Sequence, residues 1–229
     1  MALLPISLTA SPTDGPGGPI LVVTSASNPF SQYYAEILRA EGLNAFGTET
    51  LANLTANTLD NYDVVILGDM PLSGAQVTMF TNWVNAGGNL IAMRPDKQLA
   101  SLLGLTDAAA TLSDAYLLVD TSAAPGTGIV NSTIQFHGTA DKYTLNGATS
   151  VATLYSTSST STSNPAVTVM DVGGAGGQAA AFTYDLAKSV VYTRQGNPSW
   201  QSQDRDSDGL VRSDDLFYGG DSPNYVDLS

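Results

Sequence analysis

Three short apolar runs decide the fold: Ile20–Thr24 (ILVVT), Asp63–Leu67 (DVVIL) and Leu90–Met93 (LIAM). Their aliphatic and β-branched residues show no polar alternation, which is typical of strands buried on both faces of a parallel sheet. Helical patterns lie between these runs, and this order of elements predicts a doubly wound α/β sheet.

The segment after the first run carries clear helix signals. Asn28 suits an N-cap, Pro29 suits the first helical position, and Gly42 suits a left-handed stop. A second helix is predicted over Ser73–Asn85, where the apolar residues recur at helical spacing. Each helix therefore connects two neighbouring strands of the predicted sheet.

Residues beyond Gly104 predict a β-rich C-terminal half, followed by an irregular tail with seven Asp and two Arg from Gln201 onward. The fold class expected for the whole chain is a flavodoxin-like, doubly wound, mostly parallel α/β sheet with these additions. We expect a linker or N-terminal extension over 1–19, an α/β domain over 20–200 and an acidic tail over 201–229. The further strands are predicted at Tyr116–Val119, Thr133–Phe136, Ser150–Tyr155, Ala166–Met170, Ala179–Tyr184 and Ser189–Thr193.

Composition excludes several classes of function. The 229 residues carry a formal net charge of -13, which repels phosphate backbones and anionic lipid headgroups. The chain has no cysteine, which excludes disulfides, zinc-thiolate sites and cysteine nucleophiles. The expected partners are other domains of a parent protein, and a carbohydrate or protein, but neither nucleic acid nor a membrane. An extracellular, secreted bacterial location is expected, although no signal peptide is visible.

Four segments carry a family resemblance: Gly18–Phe46 (GPILVVTSASNPFSQYYAEILRAEGLNAF), Tyr62–Gly104 (beginning YDVVILGDMPLSG), Phe182–Asp206 (FTYDLAKSVVYTRQGNPSWQSQDRD) and Arg212–Gly219 (RSDDLFYG). In these motifs the chain resembles the class I glutamine-amidotransferase-like superfamily, near the trehalose-utilisation-like domains and the C-terminal domain of the N,N-dimethylformamidase large subunit. The resemblance implies a flavodoxin-like fold over most of Pro19–Gly219.

Catalytic members of that superfamily carry a cysteine at the turn where this chain has Arg94. A guanidinium stays protonated and cannot act as a nucleophile. The expected function is therefore a non-catalytic accessory, binding or assembly module. The alternative is a hydrolase with a non-cysteine site in the same crevice, in which His137 is the base and Asp69 or Asp96 its partner. A structural role for His137 and an ion pair between Arg94 and an aspartate are the competing interpretations.

The acidic segment DRDSDGLVRSDD (Asp204–Asp215) has the residue spacing of a calcium loop, with Gly209 at its sixth position. Its twelfth position is Asp, and the flanking residues do not predict EF-hand helices. The competing interpretation is an acidic turn held by its two arginines. The predicted ligand positions are Asp204, Asp206, Asp208, Leu210, Arg212 and Asp215.

Trp200, in the polar segment NPSWQSQ, is a candidate platform for a sugar ring, because aromatic faces bind carbohydrate by apolar contacts. This role requires an exposed indole. A buried position would exclude it.

Overall fold

The computed structural model describes residues 17–205 and 209–217. Within them the chain forms nine strands and four α-helices, joined by turns and short 3₁₀ segments. The strands are β1 (Ile20–Thr24), β2 (Phe46–Thr50), β3 (Val64–Leu67), β4 (Asn89–Met93), β5 (Leu105–Val119), β6 (Ile134–Leu145), β7 (Thr149–Tyr155), β8 (Ser161–Val172) and β9 (Gly177–Phe182). The helices are α1 (Tyr33–Ala40), α2 (Ala56–Leu59), α3 (Gly74–Asn85) and α4 (Leu186–Gln195).

All nine strands belong to one sheet, in the order β2-β1-β3-β4-β9-β8-β7-β5-β6. The four pairings among β2, β1, β3, β4 and β9 are parallel. The four pairings from β9 to β6 are antiparallel. The sheet therefore has a parallel half and an antiparallel half, which meet at β9.

The expected flavodoxin-like, doubly wound, mostly parallel sheet is wrong. Half of the strand pairings are antiparallel, and the connections between β7, β8 and β9 are only residues 156–160 and 173–176. Connections this short form hairpins, whereas a parallel crossover needs a dozen residues or more. The β-rich second half is therefore a continuation of the first sheet.

The residues that begin the first helical segment have the roles that the sequence predicts for them. The Asn28 side chain accepts a hydrogen bond from the Phe30 backbone, and Pro29 begins a 3₁₀ turn that leads into α1. Ser73 caps α3 in a capping box with Gln76. These caps satisfy backbone donors that helix formation would otherwise leave without partners.

The strand predicted over Ser189–Thr193 is wrong, because these residues lie inside α4. Their β-branched side chains favour extended structure locally. The helix begins where Asp185 accepts from the Lys188 backbone, and it packs Ala187 into the core against α1 and Met93. Tertiary packing thus overrides local propensity here.

Two apolar layers cover the parallel half of the sheet. One layer packs α3 and the segment around Leu99 against one face of β1, β3, β4 and β9. The other packs α1 and α4 against the opposite face, where Val22, Ile66 and Met93 are buried. The antiparallel half has its own core around Phe136 and Leu154.

Among the described residues, no helix combines the length and apolar character needed to cross a bilayer.

Candidate functional site

The carboxyl ends of four parallel strands converge at one edge of the sheet. Asn28 follows β1, Asp69 follows β3, Arg94 follows β4 and Asp185 follows β9. Open α/β sheets place ligand crevices at this edge. The strand order therefore brings together polar side chains that are far apart in sequence.

Arg94 lies at the centre of this edge. Its Nε donates to Asp141 Oδ2 at 3.0 Å, and its Nη1 donates to Asp69 Oδ2 at 3.4 Å. Its φ is 40°, a left-handed conformation that non-glycine residues seldom adopt. We call Asp69, Arg94 and Asp141 the Arg94 cluster. One guanidinium thus holds two carboxylates.

Asp141 comes from the antiparallel half of the molecule. It lies in β6, its backbone NH donates to Thr183 O at 2.9 Å, and Ala140 forms a bridge with Tyr184. This contact carries β6 past the end of β9, so that Asp141 reaches Arg94. The Arg94 cluster therefore exists only where the two halves of the sheet meet.

The solvent exposure of the cluster is uneven. The side chains of Arg94 and Asp69 are 31% and 37% exposed, whereas that of Asp141 is 9% exposed. Arg94 and Asp69 can therefore contact a ligand from solvent, while Asp141 holds the Arg94 guanidinium in position.

Burial raises the pKa of Asp69, and this effect outweighs the opposing attraction of Arg94. Asp185 and Asp141 raise this pKa further through charge repulsion. Burial also lowers the pKa of Arg94, but its contacts with Asp141 and Asp69 raise it more. The guanidinium thus stays charged, while Asp69 holds a proton more readily than an ordinary aspartate does.

A buried polar group supports the cluster from the side of β9. Asp185 accepts hydrogen bonds from Tyr34 Oη at 2.6 Å and from Asn28 Nδ2 at 2.9 Å. Asn28 Nδ2 also donates to Asp69 O at 3.0 Å. Burial, followed by the Asp185 charge, keeps the pKa of Tyr34 well above its usual value. These bonds fix the backbone position of Asp69.

Asp96 holds the loop beside the cluster. Its Oδ2 accepts from Leu72 N at 2.8 Å, and its Oδ1 accepts from Gln98 N at 2.9 Å. The carboxylate therefore joins the loop after β3 to the turn after β4. The hypothesis that Asp96 is a partner of a catalytic base stays untested, and its observed contacts are with backbone.

His137 lies on β6, four residues before Asp141, a separation of about 13 Å in an extended strand. It is 1% exposed, and its backbone NH donates to Ser189 Oγ. Burial lowers the pKa of its imidazole. The structure thus places His137 apart from the Arg94 cluster, beside α4 and Trp200.

Trp200 is 8% exposed, between the Arg205 guanidinium at 3.8 Å and the His137 ring at 6.3 Å. A sugar cannot stack on an indole that these groups cover. The burial of Trp200 therefore excludes its candidate role as a sugar platform.

Only part of the predicted calcium loop, Asp204–Asp215, lies within the described residues. Asp206 and Asp208 lie outside the described residues. Asp215 is 3% exposed and accepts from the backbone NH groups of Arg205 and Arg212, while Asp204 accepts from Gly209 N. Within residues 17–205 and 209–217, no three acidic or histidine side chains form a metal-binding group. Calcium at this loop stays a prediction.

Comparison with known proteins rests on structure alone. No family model and no curated protein matches the chain. A β-galactosidase from Bacillus circulans sp. alkalophilus is similar, with TM-score 0.58 and 11% identity, covering 76% of this chain and 30% of the enzyme. Exo-β-1,4-mannosidase Op5Man5 from Opitutaceae bacterium strain TAV5 gives TM-score 0.56 and 14% identity, covering 82% and 34%. The N-terminal domain of mmIFT52 gives TM-score 0.52 and 13% identity, covering 74% and 87%.

At these identities the similarity shows a shared fold, and the chain spans about a third of the length of the two glycosidases. These findings contradict the resemblance to the class I glutamine-amidotransferase-like superfamily, because no family model matches and several similar structures are glycoside hydrolases. The expected function as an amidotransferase-like, non-catalytic module is wrong for the same reason. The absence of a cysteine at Arg94 still stands as a fact of sequence.

Sequence reasoning located part of this edge. Parallel strands finish at a common edge, so the ends of the predicted strands indicate that Asp69, Arg94, Asp96 and Arg194 lie there. The prediction for Arg194 is wrong, because Arg194 lies inside α4. Asp141 was missed, since it lies within a strand and no local pattern marks it. Asp185 was missed because it lies between two predicted strands, Ala179–Tyr184 and Ser189–Thr193, although aspartate is a preferred N-cap residue.

Proposed function

We propose that this chain is a carbohydrate-directed domain and that the Arg94 cluster binds a saccharide. The observation that carries the proposal is one partly exposed guanidinium beside a partly exposed carboxylate at the ligand-binding edge of the sheet. Neighbouring sugar hydroxyls donate to carboxylates and accept from guanidinium groups. The glycosidases that share the fold support the choice of a sugar over other polar ligands.

Calorimetric titration with galactose, mannose, lactose and β-1,4-mannobiose tests this proposal. Asp69→Asn is expected to weaken saccharide binding at least about tenfold, because hydrogen bonds to a charged acceptor contribute roughly 1.5–3 kcal/mol. Asp107→Asn is the matched control, since Asp107 pairs with Lys97 outside the cluster. Absence of saturable binding to all four sugars, or equal weakening by both variants, overturns the proposal.

The raised pKa of Asp69 favours a second candidate, hydrolysis of a glycosidic bond. In that reaction Asp69 donates its proton to the leaving glycosidic oxygen as the bond from that oxygen to the anomeric carbon breaks, and a water molecule attacks the anomeric carbon and releases its proton to solvent. Asp141 keeps Arg94 in position beside Asp69. Binding of a sugar does not depend on this chemistry.

Turnover of p-nitrophenyl glycosides distinguishes hydrolysis from binding. A hydrolase of this kind loses activity on Asp69→Asn, and its rate falls as pH rises through the pKa of Asp69. Saccharide binding without turnover supports the first candidate and rejects the second. Turnover that survives Asp69→Asn rejects Asp69 as the proton donor.

A further inference from the structure

A cavity lies on the face of the sheet that carries α1 and α4, away from the Arg94 cluster. α4 covers the parallel half of that face, and strands β9, β8, β7 and β5 form the floor beyond it. Leu186 and Val190 of α4 form one wall, and Pro125 and Ile129 form the other. The cavity, here called the apolar groove, has a volume of about 600 Å³.

The apolar groove exposes hydrocarbon to water. Its floor includes Val167 and Val169, and Ile129 and Ile134 at its margin are 47% and 38% exposed. A contiguous apolar surface of this kind marks a binding site more often than an ordinary protein surface. Its volume lies within the range of about 300–1,000 Å³ that small-molecule sites occupy.

One end of the apolar groove carries a positive charge. Arg194, in the last turn of α4, is the one charged side chain that lines it among the described residues. Within the described part of the chain, no carboxylate forms an ion pair with Arg194. Glu36 and Glu41 line a smaller cavity on the other side of Arg194, but they do not line the groove.

Three other polar side chains of the lining already have partners inside the protein: Ser189 Oγ accepts from His137 N, Thr193 Oγ1 donates to Ser189 O, and Gln135 Nε2 donates to Tyr116 Oη. Tyr184, which is 5% exposed, supplies the remaining polar group of the lining. An occupant therefore meets mostly hydrocarbon along the groove and one cation at its end. A protein of net charge -13 offers few cations, which makes this placement distinctive.

We propose that the apolar groove binds an amphipathic anion, with an acyl or alkyl chain along the sheet and the anionic headgroup at Arg194. Burial of the chain supplies affinity, and the guanidinium selects the charge of the headgroup. This inference is independent of the proposed carbohydrate function, because no member of the Arg94 cluster lines the groove.

Titration of the full chain with dodecanoate tests the proposal, with octanoate, dodecylamine and dodecanol as comparison ligands. Dodecanoate is expected to bind more tightly than octanoate, by about two- to fourfold for each added methylene. It is also expected to bind more tightly than dodecylamine and dodecanol. Equal binding of the three twelve-carbon ligands overturns the selection by Arg194.

Two variants locate the site. Arg194→Gln is expected to weaken the binding of dodecanoate by about two- to fivefold, because it removes one exposed charge contact. Lys142→Gln, which removes a cation from β6 outside the groove, is the control and should leave binding unchanged. Val169→Trp fills the floor and should abolish binding while the circular dichroism spectrum is retained.

Sedimentation of the ligand-free protein addresses the competing occupant, a second copy of the chain. A monomer whose dodecanoate binding disappears in Val169→Trp supports the proposal. A dimer that Val169→Trp dissociates, with no dodecanoate binding to the wild type, overturns it. If Val169→Trp does not fold, unchanged dodecanoate affinity in Arg194→Gln still rejects the headgroup assignment.

Discussion

Asp69 shows how burial and charge compete at a single residue. The attraction of Arg94 favours the ionised carboxylate, but burial is the larger effect and keeps the pKa of Asp69 above the ordinary value of 3.8. The unfolded chain therefore loses this proton at lower pH than the folded protein does. The contribution of Asp69 to stability is present in acid and is lost as pH rises through the raised pKa.

Asp69→Asn is therefore expected to be more stable than the wild type near neutral pH, by less than about 1 kcal/mol because the side chain is partly exposed. Below pH 3.8 the two proteins should have equal stability. Thermal unfolding across this pH range measures the difference. A variant that is less stable at neutral pH contradicts the prediction.

Asp107 is a control, because its contribution to stability depends on pH in the opposite direction to that of Asp69. The hydrogen bond from Lys97 lowers the pKa of Asp107, so its contribution is present at neutral pH and disappears in acid. Asp107→Asn should therefore be less stable than the wild type at neutral pH and should match it in acid. The same melting experiments check both carboxylates.

Arg94 and Asp141 are coupled because Asp141 is nearly buried. Replacement Arg94→Gln leaves an anion with 9% side-chain exposure without its ionic partner, which is expected to lower the free energy of unfolding by about 1–3 kcal/mol. In Arg94→Gln/Asp141→Asn the uncompensated charge is gone, so the double variant should lose less than the sum of the single losses. Chemical denaturation of the three variants measures the coupling. Strict additivity contradicts it.

The junction of α3 with β9 depends on a residue without a side chain. A Cβ at Gly177 would overlap the Val84 backbone oxygen and lie 3.0 Å from that of Gly88. Gly177→Ala is expected to lower the free energy of unfolding by about 1–3 kcal/mol, since backbone atoms cannot move aside cheaply. Gly174→Ala, with no atom within 4 Å of its Cβ, is the control measured by the same denaturation. Equal losses in both variants contradict this packing argument.

α4 is the element in which local and long-range preferences disagree. Val190, Val191 and Thr193 are β-branched and favour a strand, yet the segment is helical. Asp185 caps its first turn and also binds Tyr34 and Asn28, so the start of α4 is tied to α1 and to the Arg94 cluster. The helix is therefore stabilised by contacts that lie more than 150 residues away in sequence.

For the molecule as a whole, the described part of the acidic tail packs against the end of α4. Asn197 N donates to Leu216 O at 2.6 Å, and Trp200 is buried nearby. This packing holds Asp215 in place, where its oxygens accept from the backbone NH groups of Arg205 and Arg212. The predicted calcium loop would thus order residues that already contact the main body.

Calcium at the loop predicts a higher melting temperature in calcium than in chelator. At a calcium concentration of 100 times the dissociation constant, binding would add about 2.7 kcal/mol to stability. Asp208→Ala should remove the difference, while Asp171→Ala, an exposed aspartate on β8, should leave it intact. Superimposable melts of the wild type with and without calcium reject the metal and favour the acidic turn.

The sequence alone specified β1, β3 and β4, the Asn28 cap of the first helix, and the edge where Asp69 and Arg94 lie. These features follow from local hydrophobic pattern and helix punctuation, which act over a few residues. The tertiary structure alone decided the antiparallel half, the helical state of α4 and the recruitment of Asp141 to Arg94. Strand pairing, burial and a salt bridge across 47 residues depend on which distant segments meet, and no short window of sequence contains that information.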